Sequence, residues 1–204
     1  RVNEPSISML PIKICCIQSI EEAALVVSAG ATMVGLVSEM PSGWGPIPEE
    51  RIARIADTLP PSVQSVLLTS KGSADEVIDQ VERCGPNAIQ IVDAFPVDDY
   101  ALVKRAFPNL IIYQAIHVSN DDSIEEARSL APWVDGLILD TGSPHAEVKV
   151  LGGTGKTHDW SISRRIVEQV RKPVFLAGGL KPENVVRAIA TVRPHGLDLC
   201  TGVR

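Results

Sequence analysis

Three glycine-rich segments and one aspartate carry most of the chemistry legible in this chain. The segments are Gly152-Gly153-Thr154-Gly155-Lys156-Thr157, Ala177-Gly178-Gly179-Leu180 and Leu199-Cys200-Thr201-Gly202. Two of them sit where an apolar run stops. Val174-Phe175-Leu176-Ala177 leads into Gly178-Gly179, and Gly196-Leu197-Asp198-Leu199-Cys200 leads into Thr201-Gly202. Glycine lets backbone N–H groups approach an anion closely, because no Cβ intervenes. Such groups just beyond a strand form an anion-binding nest, and a following helix N-terminus adds a favourable dipole. The same ending at two successive strands points to a phosphate. Asp140 follows the very apolar Gly136-Leu137-Ile138-Leu139 and precedes a glycine-containing loop, a placement suited to proton transfer. Cys15 also ends an apolar run, but taken alone a cysteine there reads as a small hydrophobe. Asp93 and His117 close two further runs.

Other reactive side chains form no recognisable set. His117, His145, His158 and His195 lack metal-ligand spacing and read as polar surface or loop residues, so no metal site is expected. Cys16, Cys84 and Cys200 read as small apolar fillers. No Ser/His/Asp arrangement or nucleophile elbow is present.

These residues need a scaffold, and the chain alternates strand-like with helix-like segments throughout. Strands are expected near residues 12–16, 33–37, 62–68, 88–92, 110–116, 136–139, 174–177 and 197–200. Amphipathic helices are expected at 20–29, 75–84, 124–130, 162–170 and 182–192. Pro48-Glu49-Glu50 and Pro182-Glu183 are helix-start signals, and Ser73 is a candidate cap. Eight strands with helical connections imply an α/β fold with a parallel sheet, and eight is the number that closes a (β/α)₈ barrel. An open doubly wound sheet is the alternative. The chain stops just after the eighth strand, so the last helix of such a barrel is missing from it. Residues 141–158 form the longest connection and read as a functional lid.

Composition narrows the function classes. The chain has 204 residues, 45% of them hydrophobic, and a net charge of −6, which suits one domain spanning 1–204. Charges are spread along the chain, so no nucleic-acid face is expected. No apolar stretch approaches the roughly 20 residues that cross a membrane. Cys15, Cys16, Cys84 and Cys200 show no disulfide framework, and Cys15 and Cys16, being adjacent, are expected on opposite faces of a strand. A reducing cytoplasm is the expected location. The chain starts Arg1-Val2 rather than with Met, so a trimmed leader stays open.

Taken together, the motifs resemble the phosphoribosylanthranilate isomerase family. Lys13-Ile14-Cys15 is similar to its opening motif. Leu139-Asp140, the run from Gly152 to Trp160, the run from Leu176 to Val185 and the run from Val192 to Asp198 resemble its later motifs in order. The resemblance covers essentially the whole chain. It implies a (β/α)₈ barrel without cofactor that performs an Amadori rearrangement, converting an aminoaldose phosphate to an aminoketose phosphate. By position it implies Cys15 as the general base at the sugar C2. It implies Asp140 as the general acid at the ring oxygen. The base must work as a thiolate, which local charge should favour. The acid must stay protonated near neutral pH, which an apolar strand end favours. Gly153, Gly155, Gly178, Gly179, Thr201 and Gly202 are then the phosphate and sugar contacts. The partner is a small phosphorylated sugar-amine, and an oligomer is left open.

The departures from the family pattern are informative. Its first motif continues Lys-Ile-Cys-Gly, whereas here Cys16 replaces the glycine. An arginine that grips the anthranilate carboxylate falls on Trp44, which cannot form the bidentate pair an arginine makes. Gln-Leu-His-Gly becomes Gln90-Ile91-Val92-Asp93, and Ser-Ser-Gly becomes Cys200-Thr201-Gly202. Three readings compete. The first is an isomerase of N-phosphoribosylanthranilate. The second is a diverged isomerase acting on a different amine, with Trp44 as an aromatic platform. The third is a non-catalytic phosphosugar-binding barrel.

Overall fold

The computed structural model describes residues 10–41, 45–142 and 157–203. Eight parallel strands close into a barrel in chain order: β1 (Ile12–Ile14), β2 (Met33–Val37), β3 (Gln64–Thr69), β4 (Ala88–Ile91), β5 (Ile111–His117), β6 (Gly136–Asp140), β7 (Val174–Leu176) and β8 (Gly196–Leu199). Closure comes from β8 pairing with β1, with Ile12 opposite Leu197 and Ile14 opposite Leu199. The doubly wound alternative is thereby excluded. Helices α1 (Ile20–Ser28), α2 (Glu49–Thr58), α3 (Ala74–Cys84), α4 (Val97–Ala106), α5 (Asp122–Leu130), α6 (Trp160–Gln169) and α7 (Pro182–Val192) connect the strands, and a 3₁₀ turn at Thr201–Val203 follows β8.

Local sequence accounts for most of these elements. Ser73 caps α3 by accepting from the Glu76 N–H, and Gly85 ends that helix in the left-handed region at φ 60°. Pro48 stands at the N-cap of α2, followed by Glu49 and Glu50 in its first turn. Helix α4 escapes the periodicity reading for a visible reason. Only Tyr100 and Val103 are buried on it, while Val97 and Leu102 face outward, so its apolar stripe is blurred.

Side chains alternate along each strand, so one set packs outward against the helices and the other fills the barrel. The outer set, including Leu36, Leu67, Ile89, Ile112, Leu137 and Leu176, forms the main core. The inner set runs from Met33 and Val66 to Ile138 and Phe175, and it includes Cys15. The rings of Tyr113 and Phe175 meet edge to face at 5.6 Å. A Cβ at Gly136 would press on the Tyr113 ring at 2.9 Å, and one at Gly196 would collide with Phe175. Glycine at those two strand starts is what lets the aromatic pair sit inside.

Candidate active site

A buried ammonium is the anchor of the barrel interior. Lys13 is fully buried on β1, between the outward-packing Ile12 and Ile14. Its Nζ donates to Asp198 Oδ2 at 2.7 Å on β8 and to Gln90 Oε1 at 2.8 Å on β4. Burial works against the Lys13 charge, but the Asp198 carboxylate, then Cys15, outweigh it and hold the ammonium above the ordinary lysine range. Asp198 Oδ1 is buried and has no hydrogen-bond partner among the described residues, so one acceptor stays available. Neither Asp198 nor Gln90 stood out in the sequence as a site residue. The signal was a lysine and an aspartate each set inside an apolar strand, which a buried chain tolerates only as a pair.

Cys15 lies two residues beyond Lys13 on the same inward face. It is 6% exposed, and its N–H donates to the Leu199 carbonyl at 2.8 Å. A Cβ on Gly35 of β2 would stand 2.7 Å from the Cys15 Sγ, so glycine there makes the space for the thiol. The two cysteines do not take opposite faces, as an uninterrupted strand would require. Strand β1 stops at Ile14, and Cys16 turns into the left-handed region at φ 63°, so both thiols are buried in the barrel cluster and touch. Left-handed backbone costs a residue with a Cβ about 1–2 kcal/mol, which explains why glycine is at ease at such a position.

Asp140 closes β6, two residues after the inward-facing Ile138. Its Oδ1 accepts from the Thr141 N–H at 2.7 Å. Burial pushes the carboxyl up to about 7, against that hydrogen bond; the Asp198 charge adds to the rise and Lys13 opposes it. A carboxyl of that kind is part protonated at neutral pH and can donate. Cys15, Lys13, Asp198 and Asp140 therefore share one interior, opening at the C-terminal ends of the strands, where barrel enzymes carry their chemistry.

The glycine-rich strand ends also lie at that mouth. Gly178 and Gly179 follow β7 with φ of 80° and 62°, and Leu180 behind them is buried. A Cβ at Gly178 would collide with Thr141 Oγ1, and one at Gly202 with the Leu180 carbonyl. The segment after β8 is thus packed backbone to backbone against the β7 loop, with Gly202 on Leu180 and Lys181. Gly153, Gly155 and Trp44 lie outside the described residues, as does most of the expected lid.

Two histidines are built into the structure rather than lying loose on the surface. His158 bonds Thr141 Oγ1 through Nδ1 at 3.0 Å and Ser163 Oγ through Nε2 at 2.7 Å. Burial pushes its pKa down to about 4, so it is neutral at physiological pH. His117 Nε2 lies 2.8 Å from the Val92 carbonyl. Asp93, by contrast, accepts from the next backbone N–H at 2.8 Å, the role of a turn former. Among the described residues no cluster of three or more His, Cys, Asp or Glu could hold a metal ion. No described helix is long and apolar enough to cross a membrane.

Barrel, acid, thiol and glycine-lined strand ends together define a (β/α)₈ acid–base catalyst for a phosphorylated ligand. A family model described as N-(5'phosphoribosyl)anthranilate (PRA) isomerase matches residues 12–204. The N-(5'-phosphoribosyl)anthranilate isomerase of Methanocella arvoryzae is 36% identical over 195 residues, covering 96% of this chain and 89% of its own. That of Haloferax volcanii is 36% identical, covering 96% and 85%. The crystal structure of phosphoribosyl anthranilate isomerase from Thermotoga maritima superposes with a TM-score of 0.81 at 32% identity, covering 96% of this chain and 90% of that one. A solved phosphoribosyl anthranilate isomerase in complex with reduced 1-(o-carboxyphenylamino)-1-deoxyribulose 5-phosphate gives a TM-score of 0.79 at 29% identity, covering 96% and 89%. The chain belongs to the phosphoribosylanthranilate isomerase family.

Proposed function

We propose that this protein isomerises N-(5'-phosphoribosyl)anthranilate to the corresponding 1-amino-1-deoxyribulose 5-phosphate, with Asp140 as acid and Cys15 as base. The observation that carries the assignment of roles is the raised Asp140 carboxyl at the same barrel mouth as the Cys15 thiol. Asp140 protonates the ring oxygen as the C1–O bond breaks, and the nitrogen lone pair forms the iminium. Cys15, as thiolate, removes the C2 proton; those electrons form the C1=C2 bond as the C1=N electrons return to nitrogen, giving an enolamine. Transfer of the hydroxyl proton to C1 yields the ketone, so atoms and charge balance. The ammonium of Lys13 supplies positive charge beside the thiolate, while Gly178, Gly179, Thr201 and Gly202 offer N–H groups to the phosphate. Gly153 and Gly155, assigned to the phosphate, and Trp44, assigned to the anthranilate ring, rest on sequence position alone, since they lie outside the described residues. No step calls for a cofactor.

Membership of the family and the bound ligand of the solved relative support anthranilate over another amine. The assignment further implies one barrel domain, a place in tryptophan biosynthesis and a cytoplasmic enzyme. A Thermotoga maritima relative is described as dimeric, which makes an oligomer of this chain worth testing. Steady-state turnover of phosphoribosylanthranilate, followed by loss of its fluorescence, tests the reading. Turnover abolished by Cys15→Ala and by Asp140→Asn in folded protein supports the roles. Near-normal turnover in either variant contradicts them.

A further inference from the structure

We propose that Cys16 and Cys200 are a modification site, a thiol pair that a peroxide converts into a reversible disulfide at the barrel mouth. Their Sγ atoms lie 2.9 Å apart, although 184 residues separate them in the chain. Strands β1 and β8 pair with Ile14 opposite Leu199, so Cys200 lies one residue and Cys16 two residues beyond that last rung, and the left-handed turn at Cys16 brings its thiol back to Cys200. Two cysteines from opposite ends of the chain thus meet in space. Cys16 keeps its side chain in left-handed backbone, φ 63°, where glycine would be at ease. Cys200 is half-buried and gives a solute access; Cys16 is buried behind it. Hydrogen bonds to Cys15 and then Cys200, with burial, push the Cys16 thiol well above the usual range, so the more accessible Cys200 rather than Cys16 is the thiol that meets the peroxide first.

The chemistry balances without any further reactant. The Cys200 thiolate attacks the peroxide oxygen, breaks the O–O bond and releases one water (or alcohol), leaving a sulfenic acid. Cys16 attacks that sulfur, gives up its proton and expels a second water as the S–S bond forms. Two electrons pass from two thiols to one peroxide. Closing the gap to a bond of about 2.05 Å moves the sulfurs by less than an ångström. In a reducing compartment such a bond is transient and sensing rather than structural. It ties Cys16, next to Cys15, to Cys200, next to Thr201. It therefore slows turnover if the acid–base reading above holds.

Wild type, Cys15→Ala, Cys16→Gly and Cys200→Ser, each confirmed folded by circular dichroism, are treated with stoichiometric hydrogen peroxide. Thiols are counted, and non-reduced digests are mapped by mass spectrometry. Wild type and Cys15→Ala lose two thiols and yield one intramolecular cross-linked peptide, which dithiothreitol dissolves; Cys16→Gly and Cys200→Ser yield none. Failure of wild type or Cys15→Ala to form the link, or its appearance in either of the other two, overturns the proposal. Turnover is read separately on wild type. Slower turnover that dithiothreitol restores supports the coupling to catalysis, whereas unchanged turnover in the mapped, linked protein overturns the coupling alone. A reduced protein with no turnover at all counts against the acid–base reading, not against the bond.

Discussion

Asp140→Asn should make this protein more stable while it stops the chemistry, and pH should set the size of the gain. The Asp140 carboxyl moves from its ordinary 3.8 to about 7 on folding. A difference of about 3 in pKa corresponds to about 4 kcal/mol, which screening at the half-open mouth reduces to about 2 kcal/mol. The folded state holds this proton more tightly than the unfolded chain does. Stability from protonated Asp140 is therefore complete below pH 3.8 and is lost as pH rises through about 7. Asparagine keeps the hydrogen bond from the Thr141 N–H and never ionises beside Asp198. Urea denaturation at about pH 8 should find Asp140→Asn more stable than wild type by about 2 kcal/mol, and the gap should close by about pH 4. A gap that does not change with pH, or a wild type more stable at the alkaline end, would refute the reasoning. The same proton sets activity. The wild-type kcat/KM should fall above about pH 7 as the acid is lost.

Lys13→Met leaves Asp198 charged and alone in the barrel, which should cost about 3–5 kcal/mol in urea denaturation. Adding Asp198→Leu should recover most of that loss, and a double variant no better than the single one would sink the pairing argument. Gly178→Ala places a Cβ on Thr141 Oγ1 in left-handed backbone, so it should lose about 1–2 kcal/mol of stability and raise KM more than it lowers kcat. An alanine variant with wild-type kinetics would remove Gly178 from the phosphate cradle. His158 should titrate by NMR at about 4, and stability it provides should be present above its ordinary 6.5 and lost as pH falls through that window. A midpoint near the ordinary value would show that the Thr141–His158–Ser163 chain is not formed.

The barrel was legible in the sequence because its punctuation is local. Apolar runs ended by glycine or a charged residue mark β6, β7 and β8 within a residue or two, and Ser73 and Pro48 mark helix starts. Helix α4 was not legible, since two buried residues on a mostly outward-facing helix leave no stripe. Asp140 stood out by its strand-end position, whereas Cys15 by position alone read as a small hydrophobe and only the family resemblance singled it out. The Lys13–Asp198–Gln90 linkage was not, because it joins β1, β8 and β4 across a closed barrel, and sequence spacing carries no trace of that. The same holds for Cys16 and Cys200. Each alone reads as a small filler, and only barrel closure brings the thiols together. His117 and His158 read as surface or loop residues until the backbone carbonyl and hydroxyl partners that hold them, half-buried, are seen.

The proposed proton-transfer pair of Cys15 and Asp140 is tested most directly by the turnover of phosphoribosylanthranilate by wild type, Cys15→Ala and Asp140→Asn across pH, with folding checked alongside. Wild-type turnover should decline above about pH 7, and each variant should lose about 10²-fold or more. Variants within a few-fold of wild type, or a wild type inert towards this substrate while folded and reduced, would contradict it.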